Sequence, residues 1–153
     1  MTSQRRKIRQ YAQQACAWIF SDIRFGARGK SNVSAPCLII STPKETRILK
    51  GQSPKIYEVE TTLSCEILAW EKENILDELD ALGDLVEGVI LKDRFFSGIS
   101  CDVNLISTYS EANATDENNF GSLLLMFEVK SHMEIAEELP NYYQMGGLSI
   151  GKL

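Results

Sequence analysis

The chain has one histidine, His132, and no downstream residue pattern that completes a Ser-His-Asp or Cys-His site. Its four cysteines, Cys16, Cys37, Cys65 and Cys101, are scattered and form no C-x-x-C pair, which leaves no metal-ligand spacing. They read as free thiols in a reducing compartment, with Cys65 and Cys101 on apolar strand faces. No apolar run approaches the ~20 residues of a membrane span. The N-terminal MTSQRRKIRQYAQQ is basic but has no apolar core behind it, so no secretion signal is read there. There is no dinucleotide fingerprint. Gly26-Ala27-Arg28-Gly29-Lys30-Ser31 ends like a phosphate loop, but its first glycine is too close and a helix precedes it. No catalytic residue, metal or cofactor is expected, and the balance favours a structural or interaction protein over an enzyme.

What is present is an ordinary globular composition, 44% hydrophobic and 24% charged, in 153 residues. That length suits one domain with a real core. The dominant stretch is Ile56 to Trp70. One period-two face carries Tyr57, Val59, Thr61, Leu63, Cys65, Ile67 and Ala69; the other carries Glu58, Glu60, Thr62, Ser64 and Glu66. Side chains alternate across a strand, so this is a long strand with one buried and one wet face.

Other elements follow in order. Ser3 to about Phe20 reads as a helix with Ile8, Tyr11, Ala12, Ala15 and Ile19 as its stripe. Arg5, Arg6, Lys7 and Arg9 crowd its first turns, where the helix dipole prefers acids. Ala35–Ser41 is a short strand led by Pro36. Thr42–Lys55 is a loop or a hairpin arm, with Lys44, Arg47, Lys50 and Lys55 opposed only by Glu45. In an arm, Ile48 and Leu49 become exposed apolar residues; in a loop they fold back onto the core.

Glu73 to about Leu91 is a second helix, striped by Ile75, Leu79, Leu82, Val86 and Val89, with Leu76, Leu85 and Ile90 beside the stripe. Its acids, Glu73, Asp77, Glu78, Asp80, Asp84 and Glu87, form a solvated face and no facing dyad. Ile99–Tyr109 and Ser122–Ser131 pair as an antiparallel hairpin across the polar loop Ser110–Gly121. The second of these strands is apolar on both faces at its start, Leu123 and Leu125 against Leu124 and Met126, which places it centrally in the sheet or under a neighbour's cover. Residues 1–131 form one domain. Residues 132–153 are a tail, with a short helical possibility at Met133–Leu139 and no periodicity after it; it is either disordered or an added interface.

The net charge of −5 hides an asymmetry. Residues 1–55 hold 11 Lys/Arg and 2 Asp/Glu, whereas residues 56–153 hold 5 and 19. No nucleic-acid motif accompanies the basic half. The asymmetry therefore favours a basic side meeting the acidic side of a neighbouring copy over nucleic acid.

This order of elements resembles the tail terminator (tail completion, minor tail protein U-like) proteins of long-tailed bacteriophages and prophages. Three segments carry the resemblance: Ala35-Pro36-Cys37-Leu38-Ile39-Ile40, Tyr57 to Leu63 running into Ile67, and Leu76-Asp77-Glu78-Leu79-Asp80; the strand Leu123–Val129 suits it. It implies an α+β fold, with about four mostly antiparallel strands and two main helices packed on them. It also implies a homo-hexameric ring in the virion tail, assembled in the host bacterial cytoplasm. That ring caps the tail tube protein, ends polymerisation and meets the head-tail connector protein. The family offers no catalytic residues to carry over.

The candidate interaction surface is Arg5, Arg6, Arg9, Arg47, Ile48, Leu49, Lys50, Glu58, Glu60, Asp116 and Glu117. Two rival classes stay open. One is a small α+β enzyme or ligand-binding dimer. The other is a nucleic-acid-binding module that uses the basic first half.

Overall fold

The computed structural model describes residues 3–26, 36–71, 74–114 and 119–135. Helix α1 (Gln4–Cys16) starts at Ser3, whose hydroxyl accepts the Arg6 N–H at 3.2 Å. That cap satisfies one of the orphan amides of the first turn. Strands β1 (Asp22–Phe25), β2 (Cys37–Gln52) and β3 (Lys55–Glu71) follow. Helix α2 (Ile75–Leu91), a 3₁₀ turn at Phe96–Gly98, and strands β4 (Asp102–Ala114) and β5 (Asn119–Ile135) complete the order. The strands form one sheet in the order β1-β2-β3-β5-β4. Only β1 with β2 is parallel; the other three pairs are antiparallel.

The α+β expectation holds, with five strands in place of about four. The extra one is β1, four residues (DIRF) that alternation cannot reveal at that length. It exists because Asp22–Phe25 find the free edge of Cys37–Ile40. The first helix is shorter than its stripe suggested. After Cys16 the chain tightens, with the N–H groups of Ile19 and Phe20 both donating to the Cys16 carbonyl. Phe20 is still buried.

The period-two reading of β3 holds on its core face from Val59 on, where Val59, Thr61, Leu63, Cys65, Ile67 and Ala69 are all fully buried, whereas Tyr57 is only half-buried. Both helices cover that face. Ile8, Ala12 and Cys16 of α1 and Ile75, Leu79, Val86 and Ile90 of α2 join Leu63, Phe127 and Val129 in one core. The other face is not simply wet. Cys37, Ile39 and Leu68 form a second buried cluster there, beside a tilted Trp70–Phe120 ring pair 4.8 Å apart. Ser64 is also buried. Of the two placements its apolar faces allow, β5 takes the interior one, between β3 and β4.

Two glycines set how closely α2 lies on β5. A Cβ on Gly83 would overlap Leu123 Cδ2, and one on Gly121 would sit 2.7 Å from Leu79 Cδ1 and 2.9 Å from Ile75 Cγ1. Close helix–sheet approach needs the bare backbone at both.

Several expected boundaries move. Thr42–Gln52 is strand, so the short strand and the loop after it are one long β2 with register shifts at Ser41/Lys44 and Leu49/Gly51. Ser110–Ala114 belong to β4 and Asn119–Gly121 to β5, which shortens the expected acidic loop. Met133–Ile135 are strand, not helix, because Met133 pairs with Tyr57 and Glu134 with Ile56. The rest of that expected helix, and the connector after Gly26, lie outside the described residues. No helix among the described residues is long and apolar enough to cross a membrane.

Two buried hydroxyls, Thr61 Oγ1 and Ser131 Oγ, have no hydrogen-bond partner among the described residues. A buried polar group without a partner costs about 1–3 kcal/mol. Thr61→Val, which keeps the β-branched shape, is therefore expected to raise stability by about 1 kcal/mol. A urea midpoint that falls would show that the hydroxyl is satisfied after all.

Candidate interaction surface

The pairing of β4 reaches β5 only as far as Asp102 opposite Lys130. Beyond that line the sheet narrows to three strands, β2, β3 and β5, which run on to Gln52, Lys55 and Ile135. This is the arm. Its register sets Arg47 against Val59 and Ser131, and Leu49 against Tyr57 and Met133. Alternation places these six side chains on the helix-bearing face. Ile48, Glu58 and His132 form the next row, on the opposite face. His132 is thus an exposed residue within the arm.

Ile48 and Leu49 are 38% and 42% exposed, which settles the two readings of this segment in favour of exposed apolar residues. Being neighbours on a strand, they project from opposite faces. Ile56, 37% exposed, adds to the Ile48 side. The charged candidates are paired within the chain. Lys50 Nζ lies 3.6 Å from Glu58 Oε2, Arg47 Nε 3.1 Å from Glu45 Oε2, and Arg5 Nε 3.9 Å from Glu45 Oε1. Such surface pairs contribute little, so a partner can exchange them. Glu60 stands opposite Thr46 and Lys130. Asp116 and Glu117 lie outside the described residues.

Arg6 and Arg9 are not on the arm. With Gln10, Gln13 and Phe25 they line a groove of about 310 Å³ between α1 and the β1 edge. Arg9 Nη1 donates to Thr42 Oγ1 at 2.6 Å, which ties α1 to β2. Phe25 of this groove is exposed and was not flagged by the sequence, because β1 itself was not. A second groove, about 320 Å³, lies between α2 and the β4 side of the sheet. Asp80, Gly83, Asp84, Glu87 and Thr108 line it. Leu76 and Leu85, expected beside the core stripe, are 50% and 42% exposed on the outer side of α2.

Three of the thiols, Cys16, Cys37 and Cys65, are held in their protonated form. Burial pushes Cys16 up to about 12. Burial, with Cys16 nearby, also raises Cys65 well above its ordinary value, and burial and then Asp22 raise Cys37. A thiol that resists ionisation is a poor nucleophile and a poor metal ligand. Cys101 is half-buried and its Sγ donates to the Lys130 carbonyl at 3.2 Å. Among the described residues no group of three or more His, Cys, Asp and Glu side chains converges.

No family model and no curated protein matches the chain. Among solved structures, a chain from the virion of a native gene transfer agent particle is similar to it, with a TM-score of 0.40 and 7% identity. The match covers 81% of this chain and 92% of that one. A likeness at this level assigns neither family nor role.

Proposed function

We propose that this chain is a virion structural protein of a long-tailed phage or prophage, a tail terminator that closes the tail tube as a homo-hexameric ring and presents a surface to the head connector. The observation that carries the reading is the arm. It is a three-stranded ribbon with apolar side chains exposed on both faces, Ile48 and Ile56 on one and Leu49 on the other. A free ribbon of this kind is a docking element for a protein partner, and its ion pairs at Glu45 and Glu58 are weak enough to rearrange on contact. The resemblance in element order supplies the partner, the tail tube.

Light scattering across concentration and salt tests the ring, and capture on tail tubes tests the arm. The expected result is a hexamer, or a monomer that becomes one as concentration rises. Burying one aliphatic side chain contributes about 1.5–3 kcal/mol, and 1.4 kcal/mol is tenfold. Replacing Ile48 and Leu49 by Ser is thus expected to weaken tube capture by tenfold or more. Replacing Arg47 and Lys50 by Ala is expected to weaken it less, and mainly at low salt. Capture unchanged in both variants would remove the arm from the reading. A firm dimer at every concentration would favour a ligand-binding or enzymatic dimer. Nucleic-acid binding that falls steeply with salt would favour the basic module.

A further inference from the structure

We infer that neighbouring copies join edge to edge, the basic α1–β1 groove of one copy receiving the acidic outer face of α2 beside β4 of the next. This rests on the ring reading and specifies its interface.

The two helices are opposites in charge. Gln4–Cys16 holds Arg5, Arg6, Lys7 and Arg9 and no acid; Ile75–Leu91 holds Asp77, Glu78, Asp80, Asp84 and Glu87 and no base. The helices pack side by side on one face of the sheet, α1 over β2 and β3 and α2 over β3, β5 and β4, so their outward sides open toward opposite edges. The groove beside α1 is closed by Phe25 of β1, one edge strand, and the groove beside α2 by Thr108 of β4, the other. Each chain therefore has a basic lateral edge and an acidic one.

Apolar side chains accompany both. Phe25 is exposed in the basic groove, and Leu76 and Leu85 flank the acidic ridge formed by Asp77, Asp80 and Asp84. Among the described residues no ion pair holds Arg6, Asp77, Asp80 or Asp84. Clustered bases at the start of α1 oppose its dipole, so that end of the helix carries a charge arrangement unfavourable to its own stability. Two unlike patches on opposite edges are what a heterologous, head-to-tail contact requires. A two-fold pair could not form both unlike contacts at once, because the two patches lie toward opposite edge strands.

The test is sedimentation mass against concentration for four proteins: the wild type, Arg6→Glu/Arg9→Glu, Asp80→Lys/Asp84→Lys, and the chain carrying all four changes. The wild type is expected to assemble, and less so at high salt. Each double variant sets like charges face to face and is expected to lose at least about tenfold in association. A one-to-one mixture of the two double variants is expected to reassemble, because every contact is again between unlike charges. The fourfold variant is expected to assemble alone for the same reason. Recovery in these two arms separates a lost contact from a lost fold.

Double variants that assemble as the wild type does would overturn the edge assignment and leave the ring standing. Failure of both the mixture and the fourfold chain to recover would also overturn it. A wild type that stays monomeric at every concentration would overturn the edge assignment and the ring together.

Discussion

Phe127→Ala is expected to cost about 3–5 kcal/mol of stability, the range for truncating a fully buried phenylalanine. Phe127 is completely buried on the helix-bearing face of β5. It pairs with Leu63 of β3 on one side and Leu105 of β4 on the other. Strands hydrogen-bonded on both sides cannot close inward, so the cavity would persist and its lining would lose contacts outright. Domains of this size are stable by about 5–15 kcal/mol, so the loss would be a large fraction of the whole. Met126, next in sequence, points to the opposite face and is half-buried. Met126→Ala should cost distinctly less than Phe127→Ala, because less contact is lost. Urea unfolding with an unchanged slope would measure both. Equal costs would mean that the core does not lie between this face and the helices.

Phe96→Ala should cost a similar ~3–5 kcal/mol, for a different reason. Phe96 is fully buried, yet its backbone has φ 45°, followed by Ser97 at φ 54°. Bulky residues rarely enter that region, and each such residue costs on the order of 1–3 kcal/mol unless its surroundings enforce it. Here they do. Asp93 accepts the N–H of Phe95 through Oδ1 and that of Ser97 through Oδ2, at 3.0 and 2.9 Å. Ser100 Oγ donates to the Arg94 carbonyl at 2.6 Å. The turn thereby delivers the ring onto Tyr11 of α1, stacked at 4.2 Å and 21°. Phe96 is thus the peg that fastens α1 to the connection between α2 and β4. A double-mutant cycle with Tyr11→Ala should return a coupling of about 0.5–1.5 kcal/mol. Strictly additive costs would mean that the two rings touch without supporting each other.

Much of this fold was legible in the chain because alternation is a local property. Val59 to Ala69 names its own buried face wherever the strand is placed, and the Ile75-Leu79-Val86 spacing does the same for α2. The boundaries were less legible. Thr42–Gln52, with Pro43 and Gly51 in it, reads as loop until β3 is there to pair with it. Met133–Ile135 reads as the start of a helix until it lies against Ile56 and Tyr57. The candidate surface divided the same way. Charge and apolarity left Arg47 to Lys50 open between an exposed arm and a loop folded back on the core, and only the pairing with β3 decides for the arm. They did not show that Lys50 reaches Glu58, or that Arg6 and Arg9 lie away from the arm beside β1.

By itself, then, the sequence determined the main helices and strands, the core face of β3 and the opposite charges of the two helices. These follow from side-chain spacing and count, which the chain carries along its own length. The tertiary structure alone decided that β1 exists, that β2, β3 and β5 extend past β4 as an arm, and that the basic and acidic grooves open toward opposite edge strands of one sheet. Those depend on which distant segments supply hydrogen-bond partners and cover, and no local pattern encodes a partner's position.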